Sequence, residues 1–301
     1  MLSNDLMKKI RHIEIRTKRL VTDSFAGEYH SIFKGRGMEF EEVRPYQPGD
    51  EVRTIDWNVT ARTGEVYVKR YVEERELTVM LVVDASASEN FGSVQQFKRE
   101  LAAELTAVLS FAATTNNDRV GLLIFTDQVE LFIPPRKGRK HVLRLVRELL
   151  AFEPQSKGTD IHMALEKVNH ILKRRSIIFL VSDFIADPES YRVAMATTNR
   201  RHDLIAVDLH DPMEAEIGNV GLLAIEDPET GEIHWVDTGS KAWRAAFRQR
   251  VEGARAGKVR AFRQAAVDHI DIGTEQDYVA PLAAFFQERY KRLSYSCICG
   301  A

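Results

Sequence analysis

The segment Asp84-Ala85-Ser86-Ala87-Ser88 sets one carboxylate and two hydroxyls at alternate positions, directly after the apolar run Leu77–Val83. Ligands of parallel sheets bind at the carboxyl ends of strands, where a loop of this kind can turn all three oxygens toward one point. A donor set made only of oxygen selects a hard cation, so the expected ion is Mg²⁺ or Mn²⁺, with Ca²⁺ behind them. Alone the motif is weak, because Asp and Ser are common. Two further segments strengthen it. Gly158-Thr159-Asp160 precedes a helical pattern, and Ser182-Asp183 closes the apolar run Ser176–Val181. The expected metal ligands are Asp84, Ser86, Ser88, Thr159 and Asp183, with a vacant position that a partner's carboxylate can fill. Each segment has a plainer use. Asp160 and Ser182 precede helix starts and suit capping, and Ser86 or Ser88 can cap a helix beginning near residue 93. Three such segments in order at one sheet edge favour the metal.

The elements that must position these groups follow from hydrophobic period. From residue 77 the chain alternates strand and helix: strands at 77–83, 120–125, 129–133, 176–181 and 203–209, helices at 93–115, 138–151, 160–173 and 188–199. Runs such as Val79–Val83 are apolar on both faces, as strands between two helical layers must be. The expected fold is α/β, a doubly wound, mostly parallel sheet. Residues 210–240 carry hairpin signals at Gly218-Asn219 and Pro228-Glu229-Thr230-Gly231, and a basic helix is expected over 241–267. A last core strand at 268–273 and a helix at 278–292 complete the sheet. The expected divisions are 1–76, an N-terminal helix (3–22) and β-rich arm; 77–209, the core; 210–267, an inserted hairpin and basic helix; and 268–301, the last strand, helix and tail.

Composition narrows the classes of function. With 44% hydrophobic and 29% charged residues the chain of 301 is an ordinary globular sequence. A net charge of −2 gives no electrostatic case for nucleic acid. No apolar run approaches the roughly twenty residues of a membrane span. The start, Met-Leu-Ser-Asn-Asp-Leu-Met-Lys-Lys, has no apolar core of a signal peptide, so a cytoplasmic location is expected. The only cysteines, Cys297 and Cys299, are two ligands where a structural zinc site wants four, and read as a reduced, frayed tail.

The order Asp-x-Ser-x-Ser, Thr, Asp resembles the adhesion site of the von Willebrand factor A fold. Upstream, Gly37-Met38-Glu39-Phe40-Glu41-Glu42-Val43-Arg44-Pro45-Tyr46, Pro48-Gly49-Asp50, Arg53-Thr54-Ile55-Asp56-Trp57 and Thr60-Ala61-Arg62 resemble the bacterial domain-of-unknown-function family 58 (DUF58). Glu73-Glu74-Arg75, Phe132-Ile133-Pro134-Pro135, Gly138-Arg139 and Ser182-Asp183-Phe184 fit the same pattern, which spans about 30 to 292. Ile217-Gly218 departs from it, where the family often has Leu-Pro. The resemblance implies a von Willebrand factor A-like core and a working association with MoxR-type AAA+ ATPases, as adaptor or chaperone-like partner.

These readings make a metal-dependent protein-binding module the expected function, and not an enzyme. A metal-dependent hydrolase and a scaffold with an empty site are the alternatives. No His lies within the motifs to act as base, His162 being the nearest, and no G-x-x-x-x-G-K loop is present. In the upstream block Arg44, Asp50, Arg53, Asp56 and Arg62 read as an ion network pinning the arm over a buried Trp57, or else as a recognition surface. The arginines of the basic helix, Arg244, Arg248, Arg255, Arg260 and Arg263, read as a solvated face with docking of an acidic partner as the alternative.

Overall fold

The computed structural model describes residue 29 and residues 39–72, 76–92, 97–226 and 231–298. The expected helix at 3–22, Glu73-Glu74-Arg75 and Cys299 lie outside them. The chain divides into two units, residues 33–77 and the remainder.

In the smaller unit, strand β1 (Glu39–Pro45) pairs antiparallel with β2 (Tyr67–Val72), and helix α1 (Trp57–Thr63) lies between them in sequence. Asp56 caps α1 by accepting from the Asn58 and Val59 amides at 3.0 and 3.2 Å. Gly64 ends it in the left-handed conformation, φ 79°, which glycine adopts without a Cβ penalty. Arg44 grips Asp50 through two parallel bonds of 2.8 and 2.6 Å, and Asp56 lies 3.6 Å from Lys69. The expected charge network is therefore local, with Arg53 and Arg62 exposed. Trp57 is not buried beneath it. As the first residue of α1 it is 65% exposed, and Val68 of β2 takes the interior place.

The larger unit holds a six-stranded sheet. Its strands are β3 (Thr78–Asp84), β4 (Arg119–Phe125), β5 (Val129–Arg136), β6 (Ile177–Ser182), β7 (Asp203–His210) and, at the far edge, a strand over Asp268–Gly273. The helices between them are α2 (Lys98–Thr115), α3 (Arg139–Leu150), α4 (Ile161–Ile171) and α5 (Pro188–Arg201). After β7 come the short α6 (Pro212–Ala215), the hairpin β8 (Leu222–Glu226) and β9 (Ile233–Asp237), and α7 (Lys241–Gln264). The strand over Asp268–Gly273 is β10, and α8 (Val279–Ile298) follows it. The order across the sheet is β10-β7-β6-β3-β4-β5, parallel except for β5 against β4. This is the doubly wound, mostly parallel sheet that the sequence predicts.

Alternation along β3 explains the two layers. Met80 and Val82 join Leu123, Phe125, Ile178 and Leu180 against Ile161 and Leu165 of α4, Tyr191 and Met195 of α5, and Phe262 of α7. On the other face α2 lies against β3, β4 and β7 and packs Ala107 against Val142 and Val146 of α3. Tyr29 belongs to this unit rather than to the arm, edge-on to Phe286 with its hydroxyl donating to Asp118 at 3.0 Å.

Several boundaries differ from expectation. Residues 87–90 form a 3₁₀ turn and α2 starts only at Lys98, so Phe97 is an N-cap, 50% exposed, and not a core position. The N-cap of α2 is thus Phe97 and neither Ser86 nor Ser88, while residues 93–96 lie outside the described residues. Gly218-Asn219 precedes β8 and is not the hairpin turn. The helix α7 is more than an insertion. Its end, with Ala261 and Phe262 buried, is the crossover that returns the chain to β10. Three of its arginines have partners: Arg244 donates to the Thr238 carbonyl, Arg248 pairs with Glu216, and Arg255 with Asp271. The last helix runs past residue 292 to Ile298 and so takes Cys297 into its backbone. Among the described residues no helix is long and apolar enough to cross a membrane.

Candidate metal centre

The chain leaves β3 for β4 and β5 on one side of the sheet and returns to β6, β7 and β10 on the other. The carboxyl ends of β3 and β6 thus meet where the winding reverses, the place where open α/β sheets bind ligands. Asp84 ends β3 and is 3% exposed. Its Oδ1 accepts from the Ser86 amide at 2.9 Å and its Oδ2 from the Ser182 hydroxyl at 2.7 Å. The hydroxyls of Ser86 and Ser88 lie 3.1 Å apart, both buried. Asp183, the residue after β6, is 3% exposed, and its Oδ1 accepts from the Ile185 amide at 3.2 Å.

A third carboxylate completes the cluster. The 3₁₀ turn after Ser86 folds Glu89 inward to 1% exposure, and its Oε1 accepts from the Asp183 amide at 3.1 Å. Oxygens of Asp84, Glu89 and Asp183 all lie within 4.8 Å of one another. Phe184 holds the Asp183 turn. It adopts a left-handed φ of 52°, rare for a bulky residue, and is buried edge-on against Tyr191 and Phe262. That packing supplies the constraint that keeps Asp183 facing the cluster.

One ammonium answers the three carboxylates. Lys98, at the start of α2, is fully buried and donates to Asp183 Oδ2 at 2.7 Å and Glu214 Oε1 at 2.6 Å. Burial alone depresses such an ammonium, yet Asp183, Glu89 and Glu214 outweigh it and hold Lys98 above its ordinary range. Burial, then the charge of Asp183, pushes the Asp84 carboxyl up to about 7, against the hydrogen bonds from Ser182 and Ser86. Glu89 is raised for the same two reasons, with Lys98 opposing. Beside this cluster Lys258 bridges the Asp183 carbonyl (3.0 Å) and Asp208 (2.7 Å), whose carboxyl burial lifts to about 6.

The residues fit a divalent cation. Glu89 Oε2 is buried without a hydrogen-bond partner among the described residues, and an orphaned carboxylate oxygen is costly unless a cation meets it. Lys98 is the one ammonium bonded to the cluster and it is shared with Glu214, so the ionised carboxylates outnumber it and attract a further cation.

The structure therefore brings together Asp84, Ser86, Ser88 and Asp183. Thr159 is half-buried on the adjoining loop, where the Lys157 carbonyl accepts from the Ala87 amide at 3.0 Å. Asp160 is a helix cap, its Oδ1 accepting from the Met163 amide at 2.9 Å. Asp160→Ala should cost about 1 kcal/mol of stability and leave divalent-ion affinity within twofold, which denaturant melts and calorimetry check. Ser182 orients Asp84 and does not cap. His162 lies on the outer side of α4, 3.3 Å from Glu166 of the same helix. Sequence reasoning missed Lys98, Glu214, Asp208 and Lys258. Lys98 left a trace: it lies on the same stripe as the buried Leu101 and Leu105, where a charge needs a buried partner.

The family described as protein of unknown function DUF58 matches residues 42–257. The uncharacterized protein Rv1480 of Mycobacterium tuberculosis is 30% identical over 286 residues, 94% of this chain and 90% of that one. Uncharacterized protein YeaD of Bacillus subtilis is 27% identical over 107 residues, 36% of this chain and 25% of its own. Among solved structures, the conserved hypothetical protein BatB from Bacteroides thetaiotaomicron is 15% identical, with 71% of this chain and 99% of that chain covered and a TM-score of 0.48. The SpRpn10 VWA domain is 11% identical over 71% of this chain and 95% of that one, with a TM-score of 0.39.

Proposed function

The chain belongs to the DUF58 family, and on that premise we propose that it is a protein-binding module whose capture site is a divalent cation, not an enzyme. Asp84, Ser86, Ser88, Thr159 and Asp183 hold Mg²⁺ or Mn²⁺, with Ca²⁺, which takes about six to eight oxygens, behind them. The ion, when bound, supplies an open coordination position for a carboxylate of the partner. The protein partner is a MoxR-type AAA+ ATPase or a client of one, in keeping with the resemblance on residues 37–62. The observation that carries the reading is the buried trio Asp84, Glu89 and Asp183 with an orphaned oxygen on Glu89. Each carboxylate of the trio is tied to a backbone amide, an arrangement that suits holding an ion in place.

Isothermal titration of Mg²⁺ and Mn²⁺ into the protein tests the site directly. Saturable binding is expected, with loss of at least 100-fold in affinity for Asp84→Ala, which removes the carboxylate at the end of β3. A pull-down with a MoxR-type ATPase should then succeed with the ion and fail with chelator. Absence of binding to the unaltered protein would overturn the metal reading, and capture indifferent to chelator would overturn its role in partner binding.

A further inference from the structure

The pattern Asp-x-Ser-x-Ser, Thr, Asp leaves Glu89 without a role, and admits Asp183 as a second carboxylate either directly or through water. The geometry points to a sharper assignment: Glu89 is the second directly coordinating carboxylate beside Asp84, and Lys98 holds Asp183 back as an outer group that contributes charge. The inference rests on the metal reading above and refines which side chains meet the ion.

Three observations carry it. First, Glu89 Oε2 is a fully buried oxygen with no hydrogen-bond partner among the described residues, while its Oε1 is held by the Asp183 amide. One oxygen is anchored and the other is buried without a partner among the described residues, which leaves a carboxylate oxygen available to an ion. Second, both oxygens of Asp183 are engaged, and one of them by a cation: Lys98 Nζ at 2.7 Å from Oδ2, with the Ile185 amide on Oδ1. An ion bound directly to Asp183 would share one carboxylate with an ammonium bonded to it, whereas Lys98 acts on Glu89 from farther off, and like charges repel most strongly at the shortest distance. The partners of Asp84 are neutral, an amide and a hydroxyl, so no such repulsion guards it. Third, Lys98 is itself fixed at its far side by Glu214 at 2.6 Å. Glu214 is held in turn by a capping box with Asp211 at the start of α6. The ammonium is thus held between two carboxylates, with Asp183 on one side and Glu214 on the other.

The arrangement makes Lys98 a positioning residue and ties the ion to the segment after β7. It also assigns the 3₁₀ turn 87–90 a purpose, since that turn is what folds Glu89 back onto Asp183.

Mn²⁺ binding to the full chain, read by calorimetry and by the electron paramagnetic resonance of the free ion, tests the assignment. Glu89→Gln keeps size and hydrogen bonding and removes the charge, and is expected to weaken Mn²⁺ at least 30-fold. Asp183→Asn is expected to weaken it less than tenfold. Glu89→Asp, which keeps the charge but draws the oxygens back by one methylene, should fall between the unaltered protein and Glu89→Gln. It also decides the matter if Glu89→Gln fails to fold. A protein that binds Mn²⁺ but loses nothing in the Glu89 variants overturns this inference and leaves the metal reading standing. An unaltered protein that binds no Mn²⁺ overturns both.

Discussion

Lys98→Met is expected to lower the stability of the metal-free protein by about 3–5 kcal/mol, the usual cost of removing one partner from a buried ion pair. Methionine matches the length of the lysine stem and fills the same space, so the loss is electrostatic and not a cavity effect. What remains is three carboxylates within 4.8 Å and no cation among them. A divalent ion should then restore much of the loss, because the charge it meets is larger by one unit than in the unaltered protein. Affinity for Mg²⁺ should rise at least tenfold by the same reasoning. Urea melts with chelator and with Mg²⁺ measure both effects. Equal stability of the variant and the parent in chelator would mean that the Lys98–Asp183 pair contributes nothing, and the account of the site given above would fall with it. Loss of stability that Mg²⁺ does not recover would mean that no ion takes the place of the ammonium in this cluster.

The legible and illegible parts of this molecule divide on physical grounds. The core strands were readable because they are apolar on both faces, as in Val79–Val83 and Ile177–Val181, and such runs suit few other places in a fold. Asp84, Ser86, Ser88 and Asp183 were readable because they follow such runs directly, and strand ends fix their location. Lys98 was not, because its partners lie 85 and 116 residues away in sequence, and no local pattern announces a pairing of that range. Glu89 was visible as a neighbour of Ser88, but its inward direction depends on a 3₁₀ turn that hydrophobic period does not encode. Trp57 went wrong for a related reason. Large aromatic residues are buried on average, yet a residue at the first turn of a short helix has little around it to bury against. The helix α7 was recognised but undervalued, since its many arginines mask the short apolar segment Ala261-Phe262 that seals one face of the sheet.

The stability of the metal-free protein should fall as pH rises from about 4 to 8, and added Mg²⁺ should reverse the trend. Asp84 titrates near 7 in the fold against an ordinary 3.8. Between those values the folded chain holds a proton that the unfolded chain has lost, so folding is favoured at the acid end and that advantage disappears as pH climbs through about 7. A difference of this size corresponds to about 4 kcal/mol if the unfolded carboxyl behaves ordinarily. Glu89 and Asp208 are raised as well and act in the same direction. The sign is opposite to that of a salt-bridged aspartate, whose contribution is lost toward acid. A dication binds the deprotonated cluster, so its stabilisation grows as the protons leave and vanishes below about pH 5. Curves of stability against pH with chelator and with saturating Mg²⁺ should therefore diverge steadily above pH 6. Asp84→Asn should flatten the chelator curve in part, leaving the slope that Glu89 and Asp208 supply, and should remove most of the divergence. A chelator curve that rises from pH 5 to 8 would mean that these carboxylates are already ionised and compensated in the fold. The cluster would then be a satisfied structural network with no demand for an ion, and the case for a cation-dependent capture site would lose its electrostatic basis.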